Sequence, residues 1–167
     1  MKTNTQHDSA SVVLLKNGSQ KETFLVFRTD YPIWVTPGGG IEKGESPLSA
    51  AERETFEETG FKTKILRKVG TYLTIRHDGV RKSHVFEARY VSGKYRPEFP
   101  RNIGKWFSVE KLPFRITTVT KDKISESLKN RKRQFLKKLS SNWIYSNIHL
   151  FLVHPLAMIR YLLKGIK

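Results

Sequence analysis

The chain has 167 residues, of which 38% are hydrophobic and 28% charged, and its formal net charge is +16. That balance is globular rather than disordered, and the length suits one domain carrying an extension. There is no cysteine, which excludes disulfides, zinc–thiolate sites and a cysteine nucleophile.

The first ten residues, MKTNTQHDSA, lack the apolar core of a signal peptide, so a cytoplasmic protein is expected. No apolar run reaches the length of about 18 residues that a membrane span needs. SVVLL (11–15) and TFLVF (23–27) read as short apolar strands separated by a Lys-Asn-Gly-Ser turn. Trp34 to Thr36 predicts a brief strand that runs into a Pro-Gly-Gly-Gly turn. The run PLSAAERETFEET, from Pro47 to Thr59, predicts a helix. Ser46 is a good N-cap, Pro47 suits the first helical position, and Gly60 suits a left-handed stop. Lys64–Arg76 and Arg81–Val91 are long strand candidates, and His77-Asp78-Gly79-Val80 between them reads as a tight hairpin. Lys105–Ser108 is a further short strand, followed by a helical turn at Val109–Leu112. Ile124, Leu128, Phe135, Leu136, Leu139 and Trp143 recur at helical spacing, which predicts an amphipathic basic helix over 121–143. A second apolar segment, IHLFLVHPLAMIRYLLKGIK, follows with Pro155 breaking or starting a helix.

The chemistry concentrates between Gly39 and Phe61, in GGIEKGESPLSAAERETFEETGF. On a helix, residues three and four apart share a face. Glu54, Glu57 and Glu58 therefore converge on one side, with Ala50 a turn earlier. Leu48, Ala51, Thr55 and Thr59 make a neighbouring, weakly apolar stripe suited to packing on a sheet. Arg53 stands four before Glu57 and can brace it. A solvated acidic helix would not need this many like charges beside a Gly-rich turn. A hard divalent cation would, because it takes oxygen ligands and keeps waters and a substrate phosphate.

The stretch resembles the signature of the Nudix hydrolases, G-x5-E-x7-R-E-U-x-E-E-x-G-U, where U is a bulky apolar residue. Gly39, Glu45, Arg53, Glu54, Glu57, Glu58, Gly60 and Phe61 fall in register. Thr55 departs from it, standing where the family usually has Leu, Ile or Val. The resemblance covers roughly residues 10–114 and implies an α/β/α sandwich with a mixed β-sheet. It also implies a Mg²⁺- or Mn²⁺-dependent pyrophosphohydrolase acting on a nucleoside diphosphate linked to another moiety. Metal ligands would be Glu54, Glu57 and Glu58, with the Gly39 carbonyl, while Arg53 and Glu45 orient them. One of the box glutamates, or Glu98 or Glu87, would deprotonate the water. Arg28 and Trp34 lie where relatives often contact substrate, and the Gly38-Gly39-Gly40 turn lets backbone approach the phosphates. His77 and His84 are weaker candidates for proton transfer, and Arg76 and Arg81 flank the hairpin.

The chain divides by charge into a Nudix domain (10–114) and a basic, helical extension (115–167). The extension carries twelve Lys/Arg against two acids, a net +10. Such charge serves a solvated surface, capture of a polyanionic substrate, RNA, or an anionic membrane surface. The final apolar segment also offers a route to oligomers. Two alternatives to the nucleotide hydrolase stay open. One is a hydrolase of RNA 5′ ends or of dinucleoside or inositol polyphosphates. The other is a Nudix-fold binding module without catalysis.

Overall fold

The computed structural model describes residues 8–16, 21–30, 32–76, 79–99, 102–129 and 133–139. Its strands are β1 (Ser9–Leu15), β2 (Glu22–Arg28), β3 (Ile33–Val35), β4 (Gly38–Gly40), β5 (Lys62–Arg76), β6 (Gly79–Ser92), β7 (Ile103–Ser108) and β8 (Phe135–Lys138). Its helices are α1 (Pro47–Thr59) and α2 (Thr118–Leu128). The strands form one mixed sheet in the order β3-β2-β1-β6-β5-β8, with β4 also on β1 and β7 on β2. β1 runs parallel to β6 and β8 parallel to β5; the other pairs are antiparallel.

β1 decides the layering. Its residues are buried from Ala10 to Leu15, as an apolar run covered on both faces must be. Successive side chains point to opposite faces of a strand. Ala10, Val12 and Leu14 pack with Ala50 and Ala51 of α1 and with Phe24, Phe61 and Phe86. Val13 and Leu15 pack on the other face with Val85, Ile116 and Ile124, under α2. The result is the α/β/α sandwich expected from the sequence.

α1 begins and ends on the residues expected. The Ser46 hydroxyl accepts from the Ser49 N–H at 3.1 Å. Gly60 adopts φ 71°, in the left-handed region, and its N–H reaches the Phe56 carbonyl at 2.7 Å. The face it buries differs slightly from the expectation. Ala50 joins Ala51, Thr55 and Thr59 against the sheet, whereas Leu48 is exposed. Thr55 is fully buried, and its hydroxyl donates to the Ala51 carbonyl at 2.6 Å. A hydroxyl satisfied within its own helix can replace an aliphatic side chain in the core without leaving an orphan polar atom.

Two expectations are corrected. The glycine run after Pro37 is not only a turn, because Gly38, Gly39 and Gly40 pair with Ser11, Ala10 and Ser9 of β1. The basic helix expected over 121–143 ends at Leu128, and Phe135–Lys138 is a strand instead. Its reason lies on β5, whose edge at Gly70–Leu73 accepts β8. The Phe135 ring lies directly over Gly70, where a Cβ would meet ring carbon at 2.4 Å, and it meets Tyr72 edge-on at 4.9 Å between centroids. A helix through Phe135 would forfeit that contact and the ladder. The division expected at residue 114 falls between β7 and α2, and α2 and β8 lie on the same sheet as the strands before them. His77 and residues 140–167, including Trp143 and the last apolar segment, lie outside the described residues.

Candidate active site

Arg53 sits on α1 with its guanidinium enclosed by acceptors. It bonds Glu45 through two nitrogens at 2.9 Å, and one further nitrogen reaches Glu54 and Glu57, both at 2.9 Å. It also donates to the Gly40 carbonyl at 3.0 Å. One cation thus ties the loop before α1, the edge strand β4 and two turns of the helix. The planar fork of five N–H donors makes such multidentate bracing possible, where a lysine could not match it. Glu45, bonded by Arg53 and by the Glu42 N–H, is held below the usual carboxylate range.

The three box carboxylates are not equivalent. Glu57 is exposed, Glu54 is mostly covered, and Glu58 turns inward to accept the Gly38 N–H at 2.9 Å. Burial lifts Glu54 above its ordinary range; the Arg53 bond opposes this, and the charges of Glu57 and Glu98 add to it. Burial likewise pushes Glu58 up to about 7, with Glu54 and Glu98 adding to the rise while the Gly38 N–H and Arg28 oppose it. Gly39 packs directly on this group. A Cβ there would lie 2.4 Å from the Glu54 carboxylate carbon, so only glycine lets the strand and the carboxylate approach so closely.

These neighbours test the fit of a metal. The available donors are carboxylate and backbone oxygens, the chemistry that Mg²⁺ and Mn²⁺ prefer. Their like charges raise one another's proton affinity, a cost that a cation would remove. Among the described residues, no group of three His, Asp or Glu side chains is set closely enough to hold a metal as the side chains stand. Arg53 occupies that role for Glu54 and Glu57. The chemistry of the donor set therefore suits a divalent cation.

The remaining expected residues separate into two groups. Glu98 and Arg28 belong with the cluster, since their charges act on Glu58; Arg28 also bonds Asp30 at 2.7 and 3.0 Å. Gly38 and Gly40 touch it through their backbone. Trp34 does not. It faces the α2 side, against Phe27 and Phe107, with its N–H on the Arg115 carbonyl. Glu87 is buried on that same side, bonded to Ser127 at 3.0 Å and to Arg67 at 2.8 Å, far from a role as water's base in the cluster. His84 is buried beside Thr71, and burial first, then Lys68, lowers its proton affinity, so it is neutral near pH 7. Arg81 lies in β6, beyond the cluster. Sequence reasoning did not foresee that Lys123 of α2 reaches β1, where its ammonium donates to the Ser11 hydroxyl at 3.0 Å; only helix periodicity with a known strand partner would have found it.

The profile of the NUDIX domain matches residues 5–128. A Bacillus subtilis (strain 168) protein named "Putative 8-oxo-dGTP diphosphatase" is 31% identical over 121 residues, covering 72% of this chain and 79% of that protein. Human diphosphoinositol polyphosphate phosphohydrolase 2 is 33% identical over 105 residues, 60% of this chain and 57% of that one. The chain therefore spans little more than half of the human relative. Among solved structures, a UDP-X diphosphatase superposes with TM-score 0.62 at 22% identity, over 78% of this chain and 66% of that chain. A NUDIX hydrolase from Nitrosomonas europaea superposes with TM-score 0.63 at 20% identity, over 80% of each. At those identities the two structures speak for the fold.

Proposed function

The chain belongs to the NUDIX hydrolase family, and from that premise we propose that it is a divalent-metal-dependent pyrophosphohydrolase. Its substrate would be a nucleoside diphosphate linked to another moiety, cleaved at the phosphoanhydride. The observation that carries the reading is the Arg53 clasp on Glu45, Glu54 and Glu57, with Glu58 tied to Gly38 alongside. A binding module has no need of so costly a concentration of like charge.

Glu54, Glu57 and Glu58, with the Gly39 carbonyl, would hold Mg²⁺ or Mn²⁺. When bound, the ion would neutralise the anhydride's charge and make a water nucleophilic near neutral pH. Arg53 keeps the carboxylates aimed and keeps α1 fixed to β4. Residues that orient metal ligands in this way commonly matter 10–100-fold, an order-of-magnitude scale. Arg28, beside Glu58, supplies positive charge toward a phosphate. One of the box glutamates, or Glu98, would take the proton from water, as a carboxylate within reach of it can.

A second reading, a highly charged polyphosphate substrate, is favoured by the +16 charge and by the name of the human relative. RNA 5′ ends and an anionic membrane belong to this reading, supported by basic charge alone, while self-association would draw on the final apolar segment. A cytoplasmic site of action is compatible with the absence of cysteine. The test is a panel with Mg²⁺ and with Mn²⁺: dNTPs, nucleoside diphosphate sugars, dinucleoside polyphosphates, diphosphoinositol polyphosphates and 5′-triphosphate RNA, reading released phosphate or product. No turnover of any member would leave a binding module.

A further inference from the structure

On its α1 side the sheet is covered only in part. α1 packs mainly on β1 and β4, and toward β8 the same face comes out from under it. Register identifies the side chains there. Thr71 pairs with Leu136 on one side and with His84 on the other. Leu73 pairs with Lys138 and Lys82 in the same way, and the next row is Ile75 opposite Val80. Paired residues point to one face, and alternate residues of a strand share it. His84 stands two residues before Phe86, which packs with Ala50 and Ala51 of α1, so all these side chains are on the α1 side.

This end of the face is open to solvent. Leu136 is 70% exposed, Ile75 57% and Val80 52%, and Leu73 is half-buried. Lys82 and Lys138 are exposed and stand on either side of Leu73. One acid borders the patch: the Asp8 carboxylate accepts from the Lys82 N–H at 2.8 Å. Clustered exposed aliphatic side chains mark a place where something docks.

The lysines narrow what that is. Residues 127–167 contain no Asp or Glu, so the chain's own C-terminal segment would cover the ammoniums without a counter-charge. A second copy would bring the same two lysines against these, because a two-fold contact joins identical patches. A nucleic acid has the charge, but its bases stack on aromatic rings and the patch is aliphatic. A bilayer containing anionic lipid matches both parts, with aliphatic side chains at the acyl boundary and ammoniums on the headgroups. The chain also leaves this edge toward segments of the same chemistry. The Leu139 N–H bonds the Leu73 carbonyl at 2.7 Å, and the residues that follow are largely apolar, with Arg160, Lys164 and Lys167 their charged members.

We propose that the β6–β5–β8 end of the α1 side is a docking surface for an anionic lipid bilayer. Leu136, Ile75 and Val80 enter the interface, and Lys82 and Lys138 bind headgroups. The surface contains none of the carboxylates of the candidate active site, so its test does not depend on turnover.

The absence of cysteine makes that test direct, because a single introduced thiol takes a label uniquely. Full-length Leu136→Cys and Lys121→Cys, the second on α2 across the sheet, each carry an environment-sensitive fluorophore. They are mixed with vesicles of phosphatidylcholine, alone or with equimolar phosphatidylserine. The label at 136 should shift to the blue with the anionic vesicles only, and the label at 121 should not shift. In co-sedimentation, Lys82→Glu with Lys138→Glu should weaken binding about tenfold or more, since one base at an anionic surface is worth about fivefold. Lys111→Glu with Lys121→Glu makes the same change of net charge and should stay within about threefold, the long-range part alone. Ile75→Ser with Leu136→Ser should weaken binding with no change of charge. The label readout holds whether or not the charge-reversed variants fold. No binding of wild type to anionic vesicles, equal shifts at 136 and 121, or equal losses in the two reversed pairs would overturn the proposal. A wild-type dimer that Leu136→Ser dissociates in analytical ultracentrifugation would assign the patch to a second copy and overturn it. A label at 136 already blue-shifted in a vesicle-free monomer would assign it to the chain's own C-terminal segment and overturn it as well.

Discussion

Arg53 bears more on the candidate site than any single carboxylate does. Its guanidinium is the only charge that Glu45, Glu54 and Glu57 share among the described contacts. Arg53→Ala should leave three carboxylates facing one another. Metal affinity is expected to fall by about 10–100-fold, the scale seen when ligand-orienting partners are lost. The metal-free melting temperature should fall and recover partly with Mg²⁺, because a ligand that binds only the folded state stabilises it. Calorimetric titration and thermal melts check both; unchanged affinity and activity would make Arg53 a surface residue. Glu57→Gln keeps the Arg53 contact geometry but removes a charge. It is expected to lower kcat by about 10²-fold, as for loss of a preorganised electrostatic group, and near-wild-type turnover at saturating Mg²⁺ would defeat the assignment.

Glu58 gives a pH prediction with a definite sign. Its folded pKa is raised to about 7 from an ordinary 4.5. Between those values the folded state keeps a proton that the unfolded state has released. The metal-free protein should therefore lose stability as pH rises from about 4.5 to 7, by up to roughly 3 kcal/mol from this group. Urea unfolding at several pH values checks it, and Glu58→Gln should flatten that part of the profile.

At the scale of elements, the pairing of β8 with β5 is the least expected feature, and Gly70 controls it. Gly70→Ala would drive a methyl into the Phe135 ring. The ring must move, and the destabilisation is expected at about 1–3 kcal/mol, the usual range for overpacking. Faster amide exchange is expected at Leu139, whose N–H bonds the Leu73 carbonyl at 2.7 Å. An unchanged exchange pattern would mean that β8 holds without Phe135. α1 is governed differently: its ends follow from Ser46, Pro47 and Gly60 in any context, whereas β8 exists only because another strand presents an edge.

For the whole molecule, the charge of +16 is unevenly available. Lys129 and Lys137 belong to the basic extension read from the sequence. In the fold they hold Glu126 and Asp122, so these two cations stabilise the α2–β8 junction before they attract any ligand. The remaining charge should still act at long range. KM for a diphosphoinositol polyphosphate is expected to rise with added salt more steeply than KM for UDP-glucose, because screening shortens the reach of the field. Parallel salt dependences would show that net charge plays no part in substrate capture.

Local rules account for what the sequence determined by itself. The helix caps, the apolar runs of the central strands, the glutamate spacing on α1 and the box register depend on residues within a turn or two of each other. Contacts between distant segments decided the rest. Glu98 comes close enough for its charge to act on Glu54 and Glu58, while Glu87, a rival in sequence, is buried on the opposite face because strand parity turns it there. The same apolar spacing that reads as a long helix over 121–143 is split after Leu128, because hydrophobic periodicity carries no information about an open sheet edge or a ring-sized gap over Gly70. Lys123 follows the same rule: only the approach of α2 to Ser11 removes water from an ammonium that the sequence presents as one base among many.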